Sequence, residues 1–545
     1  MQGKKYAENI SQLLLANVDY DMNNRHHVSY NLMMIHAGTQ SVGDYTGKNS
    51  IFSDDYDNLG LTRRQQSNDN LLIVNQLLTN WGLTKSLSLD AGASYNMVKG
   101  YEPDRRINNI TKAENGYILL RGNSQQRYFS ALDEDDINVK AGLVYRLKDD
   151  VEEISNIRLG YTGRFVDDSF KATEYNLTVE HASDFPSLDG FLLDDYYNRD
   201  NLSSGWFKIQ KNVDKYTVTK NIHSAYAEAT YQFTSRWIVN LGLKYDYVDI
   251  NVDYNVNRGG SEGRNTIRKD YFLPSLNLKY NLNEKHSLRL GASKTYTLPQ
   301  AKEISPYRYV GVNFNSQGNP NLKPSDNYNF DLKWDFNPSP TELVSLTAFY
   351  KHIKDPISRI EVASAGGYLS YENISDRATV AGVEVEIRKN LFVRPLSSAA
   401  NGMNKLSFGL NGSYIYTNAK MPLATVTTGS QLEGAAPWIA NFDLSHHFTR
   451  DERSFVNTLV LNYVSDKIYT IGTQGYQDIM ERGLVTLDFV SQARLNKYLS
   501  LNLKARNLLN PSHKLSRKAN ESGEKVVLGD YKKGINISLG VSCTF

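Results

Sequence analysis

The chain has 545 residues, and 61 Lys and Arg against 59 Asp and Glu leave a net charge of +2. A balance this close to zero excludes a strong electrostatic pull toward nucleic acid, and no nucleic-acid partner is expected. The lone Cys543 excludes a disulfide framework and any Cys-cluster metal or iron–sulfur site. The length suits three or four ordinary domains or one large β-architecture. With 36 Tyr, 20 Phe and 37 Gly against 14 Pro, and few Leu-rich helical stretches, composition favours the second. No run approaches the ~18 apolar residues of a membrane-spanning helix. Met1–Tyr6 opens no apolar core of signal-peptide type. Alone, that start reads as cytoplasmic; the rest of the chain argues otherwise.

From the N-terminus onward, period-two alternation marks segment after segment as strand. The first runs from about Tyr6 to Tyr20 and meets a short connection at Asn23–Arg25. A long connection at 42–69 precedes the turn Gly82–Thr84, and 100–136 precedes Lys148–Glu153. After 171–215 and the turn Ser235–Arg236, one face carries Trp237, Val239, Leu241, Leu243, Tyr245 and Tyr247. The other carries Ile238, Asn240, Gly242, Lys244 and Asp246. Connections at 251–266, Asn283–Lys285, 299–325 and Asn337–Pro340 follow. Then Ala381, Val383, Val385 and Ile387 oppose Gly382, Glu384, Glu386 and Arg388. The remaining connections are Leu391–Met403, 419–435, Thr449–Glu452, Asn496–Lys497 and 509–530. Between the last two, Leu499, Leu501, Leu503 and Ala505 oppose Ser500, Asn502, Lys504 and Arg506. The closing strand sets Ile535, Ile537, Leu539, Val541, Cys543 and Phe545 on one parity.

This gives nineteen strands, with nine short connections of turn-forming residues alternating with nine longer ones. Alternation alone fits a soluble antiparallel sandwich as well as an outer-membrane barrel. Strands of about ten residues or more, aromatics toward strand ends (Tyr245 and Tyr247, Tyr296, Tyr350) and the short–long sorting of loops favour the barrel. The fold class expected is therefore all-β, one large antiparallel transmembrane barrel over residues 1–545 in contact with outer-membrane lipid. Parity adds a further expectation. The first strand runs inward from outside and the last also ends inside, whereas a closed single-chain bacterial barrel has an even strand number. The chain is expected to be an N-terminally truncated barrel lacking its export signal, an odd number of strands and a plug. Edges that lipid cannot satisfy would then make it aggregate or fail to insert alone.

Residues 273–390 carry a recognisable order of motifs. Leu273-Pro274-Ser275-Leu276-Asn277-Leu278 runs into Asn283-Glu284-Lys285, followed by Leu288 to Pro299. Then come Gly318-Asn319-Pro320-Asn321-Leu322-Lys323-Pro324 and Phe349-Tyr350-Lys351-His352-Ile353-Lys354-Asp355-Pro356. With Gly382-Val383-Glu384-Val385-Glu386, Arg506-Asn507-Leu508-Leu509-Asn510 and the final Phe545, the chain resembles the barrel of TonB-dependent outer-membrane transporters. Ser325 stands where the family usually carries Glu, and nothing resembles the plug domain or its energy-coupling box. The resemblance implies a barrel of about 22 strands in the complete protein, plugged because side chains cannot fill so wide a lumen. It also implies active import of a bulky scarce solute (siderophore, haem, cobalamin or oligosaccharide) driven by TonB through the missing N-terminal region. A surface lipoprotein is a possible further partner.

No catalytic constellation or cofactor motif stands out, so neither an enzyme nor a cofactor is expected. The alternatives carried are a passive porin and a surface receptor or adhesin. Glu384, Glu386, Arg388, Lys504 and Arg506 face the lumen, where they either solvate a wet interior or touch substrate or plug. Asp133-Glu134-Asp135-Asp136 is placed at the end of a long loop, as solvated charge rather than a Ca²⁺ site. His26-His27 and His446-His447 cannot converge on one metal, since neighbours on a strand point to opposite faces. Gly259-Gly260 and Gly366-Gly367 read as turns. Tyr196-Tyr197-Asn198 and Tyr307-Arg308-Tyr309 suit either stacking on a sugar or aromatic chelator, or simple loop packing.

Overall fold

A computed structural model describes residues 2–47, 60–113, 116–119, 122–147, 154–181, 196–257, 261–311, 314–363, 367–396, 402–421, 431–473, 475–519 and 522–544. The strands begin β1 (Gln2–Asn23), β2 (His26–Gly47), β3 (Gly60–Gly82), β4 (Leu87–Ala113), β5 (Gly116–Leu119), β6 (Gly122–Arg146) and β7 (Asn156–Val179). After a short helix α1 (Arg199–Ser203) come β8 (Phe207–Gln232), β9 (Trp237–Val256), β10 (Ser261–Asn281) and β11 (His286–Thr297). A second short helix α2 (Ala301–Ile304) leads to β12 (Arg308–Tyr309), β13 (Asn315–Gln317), β14 (Ser325–Ser339), β15 (Glu342–Lys354), β16 (Ile357–Val362) and β17 (Tyr368–Asn373). Next are β18 (Arg377–Pro395), β19 (Met403–Ala419), β20 (Trp438–Arg450), β21 (Arg453–Val464), β22 (Lys467–Gly472) and β23 (Ile479–Glu481). The chain closes with β24 (Leu484–Arg494), β25 (Leu499–Arg506), β26 (Ser512–Lys518), β27 (Lys525–Lys532) and β28 (Asn536–Cys543).

Twenty of these form one antiparallel sheet. Setting aside β5, a short strand that pairs only with the end of β4, they match the nineteen read from the sequence. Several of the tight turns on the inner side are built by their own polar residue. Asn23 Oδ1 accepts from the Arg25 amide at 2.8 Å, and Asn283 Oδ1 accepts from the Lys285 and His286 amides. Asn496 Oδ1 and Thr84 Oγ1 serve the turns at 495–498 and 83–86 in the same way. The turn Lys148–Glu153 lies outside the described residues.

Exposure sorts the two faces. On β9, Trp237, Leu241, Leu243 and Tyr245 are exposed outward, while Asp246, next after Tyr245, is 1 % exposed on the inner side. Two aromatic girdles bound the outward apolar band. The lower includes Trp237 stacked on Tyr280 at 4.2 Å, with Tyr231 against Phe233. The upper includes Tyr245 beside Phe272, Tyr95, Tyr161 and the Phe330–Tyr350 pair. Trp237 to Tyr245 is ~27 Å along the strand, or ~21 Å of height at ~40° tilt, close to the ~25 Å of an outer-membrane apolar band. No described helix is long and apolar enough to cross a membrane; the strands cross it.

The strands continue well past that band on one side. Apart from β5, β1 to β10 run 20–27 residues, against 8–19 for the later strands of the same sheet. Above Tyr247 the alternation of β9 changes phase. Val248, Ile250 and Val252 are essentially unexposed and turn inward, with Tyr128, Tyr216, Val218 and Tyr271, onto Ile304, Tyr307 and Leu322 of the connection after β11. Outside the membrane an apolar outer face has no lipid to meet, so the greasy residues collapse into the barrel mouth. This corrects the expected loops at 100–136, 251–266 and 509–530, most of which are paired strand. It also corrects the acidic run Asp133-Glu134-Asp135-Asp136, which sits within β6 rather than at a loop end. Tyr296, expected at the lipid interface, instead stacks on inward-facing Tyr271 at 3.9 Å.

On the low side, outer extensions of the hairpins re-pair as an eight-stranded sheet in the order β12-β13-β17-β16-β22-β23-β26-β27. The Arg517–Glu361 ion pair and Arg359, which bonds Glu433 and the Tyr469 carbonyl, fasten it. Among the described residues β1 pairs only with β2 and β28 only with β25, and these two edge strands run in the same direction.

Candidate functional site

The mouth of the barrel gathers the densest buried polar chemistry. Strands β3, β4 and β6 supply Arg64, Glu102, Arg105, Gln126 and Tyr128 from the inner wall; the connection after β11 supplies Tyr307 and Tyr309. Arg105, 0 % exposed, lies with its guanidinium carbon 3.9 Å from the Tyr128 ring centre and 4.9 Å from that of Tyr309. Its Nη1 meets Glu102 at 3.4 Å, Nη2 donates to Gln126 at 3.3 Å, and Nε has no partner. Arg64 donates to the Tyr309 hydroxyl at 3.2 Å and the Val310 carbonyl at 3.5 Å. The hydroxyls of Tyr128 and Tyr307 are hydrogen-bonded, and Phe170 packs against Tyr307 and Tyr216.

The connection is seated by the motif at 318–324. Asn319 donates to the Tyr371 carbonyl at 2.9 Å and caps its own turn through the Asn321 amide. Asn265 of β10 donates to the Pro320 carbonyl, and Leu322 is 3 % exposed in the apolar cluster. Gly318 passes so close to the carbonyls of Ser305 and Lys302 that a Cβ would lie 2.6 Å from the latter. Only glycine fits that approach.

Burial sets the electrostatics here, above the girdle. It pushes the Glu102 carboxyl up against the opposing pull of Arg105 and Arg64, and lowers Arg64 and Lys302. Tyr128 is pushed up to about 12 by the same cause. Lower on the wall, Asp168 stands directly opposite Glu134 in the β6–β7 ladder. Burial, with Glu134 adding to it, raises Asp168 to about 7. Buried and engaged with one another, these cationic and phenolic groups fasten the connection after β11 to the inner wall of the mouth.

Residues singled out in the sequence fall as follows. Tyr307 and Tyr309 enter this cluster, with Arg308 against the Tyr368 ring at 4.5 Å. Tyr196 and Tyr197 pack with Phe207 and Trp206 instead, and Asn198 caps α1. Glu384, Glu386 and Arg388 share the inner face of β18, with Arg388 on Glu386 at 2.7 Å. Lys504 and Arg506 lie on β25, separated from β18 by β19, β20, β21 and β24, so the two groups do not meet. Asp133 and Asp135 point outward to Tyr101 and Tyr95, whereas Asp136 points inward to Arg164 at 2.9 Å. The run therefore spreads over both faces. His26 stacks on Trp81, His27 meets Asp21, and His446 contacts Asn404. Among the described residues no group of three or more His, Cys, Asp or Glu is placed to hold a metal ion. Gly259, Gly260 and Gly366 lie outside the described residues, and Gly367 takes φ +40° between β16 and β17. Arg64, Glu102, Arg105, Gln126 and Tyr128 were hidden in segments read as loops; inward parity along β4 and β6 could have found Glu102, Gln126 and Tyr128, whereas Arg105 lies past an irregularity that shifts the register of β4, and Arg64 is on β3.

Comparison with known proteins agrees with this architecture. The sequence profile of the family described as TonB dependent receptor-like, beta-barrel matches residues 36–508. An iron-regulated outer membrane virulence protein of Vibrio cholerae serotype O1 is 25 % identical over 228 residues, 40 % of this chain and 32 % of that protein. The match thus spans about a third of the curated relative. The siderophore receptor PiuA of Acinetobacter baumannii superposes with TM-score 0.55 at 12 % identity, over 99 % of this chain and 81 % of that one. The copper transporter OprC does so with TM-score 0.59 at 12 % identity, over 100 % of this chain and 81 % of that one.

Proposed function

The chain belongs to the TonB dependent receptor-like β-barrel family, an outer-membrane transport and receptor family and not an enzyme family, and we propose that it imports a bulky, scarce solute energised through TonB. The observation that carries this reading is the pairing of a lipid-facing apolar band with a polar lumen too wide for its own side chains to fill. Such a lumen conducts freely unless plugged, and an outer membrane holds no ATP, so selective uptake must draw energy through a periplasmic contact. A ferric siderophore is the cargo the relatives favour. The sequence expectation of a plug and further strands upstream belongs to the same proposal. The edges of β1 and β28 run parallel, so an all-antiparallel closure takes an odd number of intervening strands.

The test is uptake of radio-iron on a panel of siderophores by cells in which this protein is the sole iron-chelate receptor, with TonB present or deleted. Uptake of at least one chelate that vanishes without TonB supports the proposal. Uptake that persists without TonB, or a large steady single-channel conductance, means a passive pore.

A further inference from the structure

The outward wall carries a groove that neither the import reading nor the mouth accounts for. On β8, Ala225, Ala227 and Ala229 follow one another on the lipid-facing parity between His223 and Tyr231. Their taller neighbours, Leu241 and Leu243 of β9, are 54 % and 51 % exposed. A depression of about 630 Å³ runs from Ala227 and Ala229 across Pro274 and Ala292 to Phe330, Tyr328 and Lys294. That volume is in the range of small-molecule sites.

The groove ends where the wall parts. Pairing of β10 with β11 stops at Ser275–Ser293, although β10 continues to Ser261. Pro274, which has no N–H to give a ladder, is the first residue beyond that point. Above it the strands are joined by side chains. Tyr296 fills the gap against Tyr271, and Asp326 receives Lys269 at 3.2 Å and Lys294 at 3.7 Å.

The rows above Phe330–Tyr350 are basic. Tyr328 lies between Lys294 and Lys354, at 5.6 and 5.7 Å from its ring, with His352 beside it. Lys354 is in register with Asp326 on one side and Arg377 on the other. All lie on the lipid-facing parity of Phe330 and Tyr350, within roughly 15 Å of strand length above the girdle. Among the described residues on that parity of β11, β14, β15 and β18, Asp326 is the one carboxylate against Lys294, Lys354 and Arg377, while Asp270 of β10 is engaged by the Tyr245 hydroxyl. An apolar groove at acyl depth, headed at headgroup depth by excess positive charge, is complementary to one amphiphile. The geometry points to a binding site for a phosphate-bearing lipid of the outer leaflet, its acyl chain on Ala227, Ala229 and Ala292 and its phosphate at Lys354 and Arg377.

The test is native mass spectrometry of the purified full-length protein, with the proposed upstream plug and strands in place, equilibrated with equal amounts of phosphatidic acid and phosphatidylcholine of identical chains. The wild type should retain phosphatidic acid preferentially. A basic side chain contributes roughly fivefold in affinity at an anionic lipid surface. Lys354→Gln should then cost about fivefold of the preference, and Lys354→Gln with Arg377→Gln about 25-fold. Lys497→Gln, at an inner turn, should leave it unchanged. Ala227→Leu with Ala292→Leu should lower retention of both lipids and keep their ratio. Heat-modifiable mobility identifies folded variants, and the single substitution decides should the double fail to fold. Equal retention of the two lipids by the wild type overturns the site, as does a preference that survives Lys354→Gln.

Discussion

Removing Arg105 should release the connection that folds into the mouth. In Arg105→Ala, Glu102 is left buried without its cation, which for a broken buried pair costs about 3–5 kcal/mol. Two cation–π contacts, worth about 0.5–2 kcal/mol each, go with it. The second of these is made to Tyr309, which is part of the connection itself. If half of the pair term falls on the local seating, opening of the connection becomes easier by about 2–4 kcal/mol, or roughly 30- to 1000-fold. Hydrogen exchange by mass spectrometry reads this on peptides spanning 300–322. There the Glu303, Ser305 and Asn319 amides are bonded to the Gln300, Ala301 and Glu303 carbonyls. Those peptides should exchange at least about 30-fold faster in the variant, while peptides from β18 and β19 stay unchanged. Arg105→Lys, which keeps the charge and loses the planar fork, should fall between. Unchanged exchange at 300–322 would refute the claim that Arg105 holds the connection to the wall.

Gly318→Ala should loosen the same peptides by a comparable factor, because its methyl meets backbone carbonyls that cannot move independently; wild-type exchange would contradict this. Asp168 gives a pH prediction. Its carboxyl is raised to about 7 in the folded protein against about 3.9 unfolded, so the folded state holds the proton longer. Its contribution to stability is then greatest below about pH 4, falls between about pH 4 and 7, and is level above. Asp168→Asn should flatten that slope and stabilise the protein by a few kcal/mol at pH 8 but little at pH 4, as urea titrations in lipid vesicles would show. These measurements, and those that follow, use the full-length protein with the proposed upstream strands; residues 1–545 expressed alone, with edges β1 and β28 unpaired, should aggregate rather than insert, and a heat-modifiable, protease-resistant barrel from them would count against those strands.

What could be read without coordinates follows where lipid and turn chemistry constrain the chain. Between the girdles every second residue must be apolar, so Leu241, Val383 and Leu539 announce their strands. Asn23, Asn283 and Asn496 announce the turns by bonding their own backbones. Above the membrane both constraints lapse. Glu102, Asp104, Arg105 and Arg106 are polar on both faces of β4 and so look like loop, while Val248, Ile250 and Val252 reverse the phase that Leu241 and Leu243 establish. The mouth could not be assembled from one sequence, since Tyr128 and Tyr307 meet across a separation of 179 residues. Nothing in their neighbourhoods fixes that register. The lumenal parity of Glu384 and Lys504 was legible; that they lie far apart around the barrel was not.

The most direct test of the orientation on which all of this rests places one charge on each face of a single strand. Leu410 of β19 is exposed outward, and its neighbour Asn411 points inward. In lipid vesicles, urea unfolding should show Leu410→Arg destabilised by about 2–4 kcal/mol, the cost of arginine in the bilayer midplane. Asn411→Arg, in a wet lumen, should stay within about 0.5 kcal/mol of wild type. Equal costs at the two positions, or the larger cost at Asn411, would mean that the apolar face is a buried core and that no membrane touches it.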